Sequence, residues 1–214
     1  MPTRLVLWDW NGTLLDDLAL SVDALNRNLA RFGYAQQYDL AAYRKIFTFP
    51  VQEYYRLAGF DFSRHPYEVL AKAYMDDYLP ACEAARLNAD AKAVLQAVRQ
   101  LGIRQNILSA CPQKPLEQQV LSRGIRPYFE ALLGLGDIYA KSKVERGQAY
   151  LKQAGIAPAA VVCVGDTLHD YEVSRALGAR CVLFSGGHQS RERLQTAGVP
   201  VIGSLRELPQ LLES

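Results

Sequence analysis

The chain has little cysteine, and its cysteines lack the spacing of a metal or disulfide motif. Cys82, Cys111, Cys163 and Cys181 are widely separated, without a C-x-x-C pair, and the last three sit in or beside apolar runs. This pattern argues against structural zinc and a disulfide framework, and predicts reduced, mostly buried thiols in a cytoplasmic protein. Long apolar runs are also missing. None approaches the roughly 20 residues that a membrane-spanning helix needs, so no membrane association is expected. Near the N-terminus Arg4 is followed by a short apolar run and then by acids, which is not the pattern of a secretory signal. Neither sign of charge dominates: 24 Lys and Arg stand against 22 Asp and Glu, a formal net charge of +2, and the basic residues are scattered. Such a balance gives no footprint for nucleic acid. Internal repeats and low-complexity segments are likewise absent from the sequence.

What is present fits one sizeable α/β unit. The 214 residues are 50% hydrophobic and 21% charged, an ordinary globular balance, long enough for one domain or for a core with a small insert. The organising stretch is Arg4-Leu5-Val6-Leu7-Trp8-Asp9-Trp10-Asn11-Gly12-Thr13. Its apolar run reads as a buried strand that delivers Asp9 to its own carboxyl end. An Asn-Gly pair between apolar stretches also fits a hairpin turn, but the helical pattern after Thr13 argues against one. Apolar residues at Leu18, Val22, Leu25, Leu29 and Phe32 predict a helix over 16–32, closed by Gly33. Further helices are expected over 39–46, 43–57 and 68–79, making 16–85 a helical, tyrosine-rich block inserted after the first strand.

From residue 88 onward the pattern alternates. Helices are expected over 90–101, 115–123, 143–154, 169–177, 191–197 and 205–212, and strands over 103–109, 132–135, 159–164, 181–184 and 199–202. Strands alternating with helices imply crossover units and a mostly parallel sheet. The expected fold class is therefore α/β, a Rossmann-like mostly parallel sheet over 1–15 and 86–214 carrying the helical insert 16–85.

In this scheme Asp9, Ser109 and Asp166 end three apolar strands, which places them along one edge of a parallel sheet, where such folds bind ligands. Asp170, four residues after Asp166, would turn its carboxylate to the same side. Asp9, Asp166 and Asp170 form a hard, oxygen-rich set suited to Mg²⁺. Lys143, or alternatively Lys141, opens a helix and would bring a positive charge to that edge. A carboxylate nucleophile, a hydroxyl, a lysine and a magnesium site are the equipment for phosphoryl transfer through an aspartyl-phosphate. The cation and the lysine are needed because a carboxylate and a phosphate dianion repel each other.

These residues, taken together, resemble the haloacid dehalogenase superfamily, in particular its phosphoglycolate phosphatase-like branch with a helical cap. Asp9-Trp10-Asn11-Gly12-Thr13 matches its opening D-x-D-G-T motif except at Asn11; Ser109, Lys143 and Gly165-Asp166-Thr167-Leu168-His169-Asp170 follow in the family's order. The resemblance spans the chain, with 16–85 lying where the cap lies. It implies a magnesium-dependent hydrolase of small phosphorylated metabolites. Asp9 would be the nucleophile, and Asp9, Asp166, Asp170 and the Asn11 carbonyl the metal ligands. Gly12, Thr13, Ser109, Ala110 and Lys143 would bind the substrate.

The chain departs from the family at two points. Phosphatases of the family carry a second Asp where this chain has Asn11, and an amide cannot protonate a leaving alcohol, help worth about 10²–10⁴-fold. The expectation is a slow phosphatase, an acid supplied from elsewhere, or a leaving group that needs little protonation. The family lysine often precedes proline, whereas this chain reads Ala140-Lys141-Ser142-Lys143-Val144. Lys143 fits better by its spacing to Gly155. Carbon–halogen or carbon–phosphorus cleavage, and a non-catalytic phosphate-binding regulator, are the alternatives. Lys45 and Lys72 are the only lysines of the insert, and neither sits in an obvious Schiff-base setting. His169, between the two acids, could be read as a metal ligand but is taken as a partly exposed neighbour, since Mg²⁺ prefers oxygen, and His188 has no role beyond lining the site. Tyr43, Phe47, Phe49, Tyr54 and Tyr55 are read as core of the insert, with Thr48-Phe49-Pro50 facing the site. Substrate identity and oligomeric state stay open.

Overall fold

The computed structural model describes residues 2–135 and 143–213; the alternative Lys141 lies outside the described residues. β1 (Leu5–Trp8) is followed by a two-residue strand, β2 (Leu15–Asp16), and four helices: α1 (Leu18–Arg31), α2 (Leu40–Ile46), α3 (Val51–Leu57) and α4 (Tyr67–Glu83). A second two-residue strand, β3 (Arg86–Leu87), pairs antiparallel with β2. Helices and strands then alternate through α5 (Ala91–Gln100), β4 (Arg104–Pro112), α6 (Gln113–Ser122), β5 (Ala131–Leu135), α7 (Lys143–Ala154) and β6 (Val161–Gly165). The chain closes with α8 (Leu168–Leu177), β7 (Arg180–Phe184), α9 (Arg191–Gln195), β8 (Val201–Ile202) and α10 (Leu208–Leu212).

The main sheet has six strands in the order β5-β4-β1-β6-β7-β8, and every neighbouring pair is parallel. β1 is buried on both faces, which is why it reads as an unbroken apolar run. Alternation along it serves two cores: Val6 and Trp8 pack with Leu95, Ile107 and Phe184 on one side, while Leu5 and Leu7 pack with Leu108, Leu151 and Leu177 on the other. Trp8 is level with Ile107 of β4 and with Val164 of β6. The chain leaves β1 toward β4 and leaves β6 toward β7, so the connections diverge between these strands and open a crevice at their carboxyl ends. Asp9 and Asp166 stand on either side of it.

The helices of the insert have a core of their own. Leu18, Val22, Leu25 and Leu29 form one stripe on α1, packed against Tyr43, Tyr54, Tyr55 and Leu70. Burying each such leucine contributes about 1.5–3 kcal/mol.

Several sequence expectations are corrected. The helix expected over 43–57 is two helices, parted at Phe47–Pro50, because proline lacks an N–H, its ring would clash with the Ile46 carbonyl in a continuous helix, and it bars Phe49 from helical geometry. The helix expected to stop at 79 continues past Pro80 to Glu83. α1 starts at Leu18 and not at 16, since Asp16 is spent in the β2–β3 pair. β4 does not end at Ser109 but runs to Pro112, with its register to β5 shifting between Leu108 and Pro112. Such an irregularity re-aims side chains at a strand end, and here the Ser109 hydroxyl accepts the Cys111 N–H at 3.0 Å. All four cysteines are buried with free thiols. No helix among the described residues is long and apolar enough to cross a membrane.

Candidate active site

The carboxyl edge of the sheet gathers the expected acids. Asp9, directly after β1, donates its N–H to the Val164 carbonyl at 2.8 Å, which fixes it beside β6. Asp166 follows β6, and Asp170 sits in the first turn of α8, where Thr167 caps the helix and Asp170 accepts both the Thr167 N–H, at 3.1 Å, and its hydroxyl, at 2.7 Å. The capping box thus orients the Asp170 carboxylate. One oxygen from each of Asp9, Asp166 and Asp170 lies within 4.8 Å of the other two. Lys143, at the start of α7, donates to Asp9 Oδ1 at 2.6 Å and to Asp170 Oδ1 at 2.5 Å, and is itself buried.

Three carboxylates against one ammonium leave two negative charges in a buried place, and the donors are all hard oxygens. A divalent cation matches both the deficit and the donor type. The crowding is visible in the proton affinities. Burial raises Asp9, Lys143 lowers it, and Asp170 and Asp166 raise it again, leaving it at about 8. Burial likewise raises Asp166, partly offset by His188, to about 6. Asp170 is also disfavoured by burial, but the ammonium of Lys143 outweighs this and holds its carboxyl below the usual range. Burial acts against the charge on Lys143, yet Asp170 and Asp9 keep it protonated.

The remaining expected residues divide into two groups. Ser109 and Ala110 line a cavity of about 310 Å³ together with Asp9, Asn11, Lys143, Asp166 and Asp170. Gly12 and Thr13 are not among its lining residues. The Thr13 hydroxyl donates to Asp166 Oδ1 at 3.0 Å, and the Gly12 N–H to Asp17 Oδ1 at 2.7 Å. Gly12 is required here on two counts: its φ is +74°, and a Cβ would fall 2.3 Å from Asp166 Oδ2.

The sequence reading missed a second layer, built from Asp17, Tyr78 and His188. Asp17, expected inside a helix over 16–32, immediately precedes α1 and makes no cap bond; its carboxylate turns back instead. It accepts the Gly12 N–H, the Asn11 amide at 3.1 Å and the Tyr78 hydroxyl. The Asn11 amide also donates to Tyr78 Oη at 2.8 Å. His188, read as bare lining, is buried with Nε2 3.4 Å from Asp17 Oδ1 and Nδ1 2.9 Å from the Tyr43 hydroxyl, and its backbone N–H donates to Asp166 Oδ2 at 2.7 Å. Burial opposes a charge on its imidazole, but Asp17, with Asp166 and Asp9 beyond, lifts it to about 9. Burial also works against ionisation of Asp17, and His188, Tyr78 and Asn11 overcome it, holding that carboxyl below its ordinary value. The only sequence signals for this layer were a doubled acid at Asp16–Asp17 and a histidine after two glycines.

Above the acids, the insert closes over the cavity. Phe47 stacks on His188 with centroids 4.6 Å apart, and Phe49 on His169 at 4.5 Å. Gln189 and Arg193 both donate to the Phe47 carbonyl at 3.0 Å, and Arg44 donates to the Gly186 and Gly187 carbonyls. Phe49 faces the site as expected. Phe47, Tyr54 and Tyr55 serve as more than core of the insert, because they also line the cavity.

A family model described as haloacid dehalogenase-like hydrolase matches residues 6–184, from within β1 to the end of β7. The chain belongs to this family. Curated relatives of this hydrolase include phosphoglycolate phosphatase of Synechococcus elongatus, 26% identical over 197 residues that cover 90% of this chain and 88% of that protein. Phosphoglycolate phosphatase 1 of Pseudomonas aeruginosa is 25% identical, covering 96% and 78%. Among solved structures, a "predicted phosphatase" from Clostridium acetobutylicum superposes with a TM-score of 0.85 at 20% identity, covering 99% of each chain. CbbY from Rhodobacter sphaeroides, solved with phosphate, gives 0.71 at 22% identity, covering 97% and 96%. At these identities the solved structures establish the fold of the hydrolase.

Proposed function

We propose that this hydrolase is a magnesium-dependent phosphatase of small phosphate monoesters, working through an aspartyl-phosphate on Asp9. The reading rests above all on the position of Asp9 at the floor of the cavity, gripped at Oδ1 by Lys143 at 2.6 Å and flanked by Asp166 and Asp170. The curated relatives' names support a phosphatase over other hydrolases. Magnesium held by Asp9, the Asn11 carbonyl, Asp166 and Asp170 would supply neutralising charge and alignment for the phosphoryl group.

The chain's own residues do the rest. Lys143 engages one Asp9 oxygen and leaves the other to attack phosphorus in line. Ser109, whose oxygen already accepts the Cys111 N–H, keeps its own hydrogen to donate to a phosphoryl oxygen, and Ala110 lies beside it. Gly12 and Thr13 act from behind, fixing Asp17 and Asp166. Residues 16–85 serve as the cap over a core of 1–15 and 86–214, and exclude bulk water from the intermediate. The cap lysines do not serve a Schiff-base route: Lys45 and Lys72 are exposed, and neither lines the cavity.

Asp9→Asn is expected to abolish hydrolysis of para-nitrophenyl phosphate with magnesium present while leaving the fold intact by circular dichroism. Turnover at the wild-type rate would overturn the assignment.

A further inference from the structure

Resting on the phosphatase reading above, we propose that the substrate is the phosphate ester of a phenol-like hydroxyl on an uncharged, ring-sized apolar group, and not an ester carrying a second anion. Two independent features point there: the wall of the cavity and the state of Asn11.

Opposite the acids, the cavity wall is aromatic and aliphatic, with Phe47, Phe49, Tyr54, Tyr74, Met75 and Leu79 among its residues. Its volume of about 310 Å³ is at the small end of ligand sites, which run from about 300 to 1,000 Å³. That suits a phosphate and one ring. Among the described lining residues only Lys143, His169 and His188 can carry positive charge, and each is already answered. Lys143 is held by Asp9 and Asp170, His188 by Asp17, and His169 stacks on Phe49 with Glu172 at 3.4 Å. Arg44 and Arg193, at the seam between insert and sheet, are bound to backbone carbonyls. A carboxylate or second phosphate on the organic part would enter an apolar wall with no free cation among the described lining residues, and an unpaired buried charge is costly. A ring loses nothing there and stacks on its neighbours.

The second feature concerns the leaving oxygen. The Asn11 amide donates to Asp17 and to Tyr78, and Tyr78 donates to Asp17, so this corner holds a network directed at Asp17 and not a carboxylic acid aimed at the ester. When Asp9 attacks, the new Asp9–phosphorus bond forms as the phosphorus–oxygen ester bond breaks, and the electron pair leaves on the organic oxygen. Without a donor that oxygen departs as an anion and takes its proton from water; a second water then cleaves the aspartyl-phosphate to phosphate and restores Asp9. A phenol, with a pKa near 10, tolerates this. An aliphatic alkoxide, closer to the roughly 15.7 of water, does not.

The test is steady-state kinetics of the full chain with magnesium on phenyl phosphate, benzyl phosphate and phosphoglycolate. Benzyl phosphate and phosphoglycolate both release an aliphatic alkoxide, so their ratio reads the wall; phenyl and benzyl phosphate both carry a ring, so their ratio reads the leaving group. We expect kcat/KM at least tenfold higher for benzyl phosphate than for phosphoglycolate, mostly through KM. Phenyl phosphate should exceed benzyl phosphate at least a hundredfold, mostly through kcat. Met75→Lys, which places a cation in the wall, should narrow or invert the first ratio and spare the second. Phosphoglycolate turned over as well as or better than the aromatic esters overturns the aromatic-ester proposal and leaves the phosphatase reading standing. Failure to hydrolyse any of the three overturns both.

Discussion

Asn11→Asp restores the side chain that the opening motif of the family carries, and its effect follows from the neighbours of Asn11. The amide nitrogen lies 3.1 Å from Asp17 Oδ2. Replacing it by oxygen sets two carboxylates at that separation, a repulsion of about 5 kcal/mol at an effective dielectric of 20, or about 4 pKa units. His188 beside Asp17 reduces that figure without removing it. The pair therefore retains a proton near neutral pH, and the new carboxyl is the member nearer Asp9. A proton donor in that place contributes about 10²–10⁴-fold, but only where the leaving oxygen needs one. Phosphate release from benzyl phosphate is expected to rise about 10²-fold or more in the variant, and release from para-nitrophenyl phosphate by less than about tenfold, because a leaving group that departs readily as an anion draws little on general-acid help. The gain on benzyl phosphate should fade as pH rises and the shared proton is lost. Equal gains on both esters, or none on benzyl phosphate, would refute the assignment of Asn11 as the missing donor.

Two further outcomes follow from the buried charges. Asp9 at about 8 and Asp166 at about 6 lie above the usual carboxylate range, so the folded state binds protons that the unfolded state has released, and without metal the melting temperature should fall as pH rises from about 4 to 8. The raised His188, at about 9, extends this loss from its usual value near 6.5 upward. Magnesium competes with the carboxylate protons, so its stabilising shift should grow between pH 5 and 8 in differential scanning fluorimetry; a pH-independent shift would contradict the shared site. Gly12→Ala forces an L-residue into a left-handed turn at about 1–2 kcal/mol, and its Cβ would collide with Asp166 at 2.3 Å and His188 at 2.5 Å. We expect a lower melting temperature and a weakened magnesium shift, and an unchanged magnesium titration would count against the placement of Asp166.

The parallel sheet was legible because its central strands are buried on both faces and therefore apolar without interruption, as in Leu5–Trp8 and Val161–Gly165. The acids at their ends were legible because a charge is too costly inside such a strand, so an acid that closes an apolar run marks the point where the chain leaves the core. Other elements carry no periodic signal. β2 and β3 have two residues each, too few for alternation to register. The break at Phe47–Pro50 was present in the sequence, since Pro50 alone forbids a continuous helix there, but the apolar spacing on either side masked it. Asp17 was hidden inside the helical pattern expected over 16–32, and only the turn back to Gly12 gives it another partner. Tyr78 and His188 depend on contacts across 61 and 145 residues, to Asp17 and Tyr43 respectively, which no local pattern encodes.

The second layer explains why an amide is tolerated beside Asp9. Asp9, Asp166 and Asp170 with Lys143 carry two net negative charges, a deficit sized for one divalent cation. Asp17 with His188 carries none. A carboxyl at position 11 would have to share a proton with Asp17 to sit beside it, whereas the Asn11 amide donates to Asp17 without one. The Asn11 amide donates to Asp17 and to Tyr78 of α4, so this residue, two positions after Asp9, is also a tie between the sheet edge and the insert. The amide that cannot protonate a leaving oxygen is thus also a hydrogen-bonded link to α4, so the chemistry given up at this position and the link gained from it belong to one side chain.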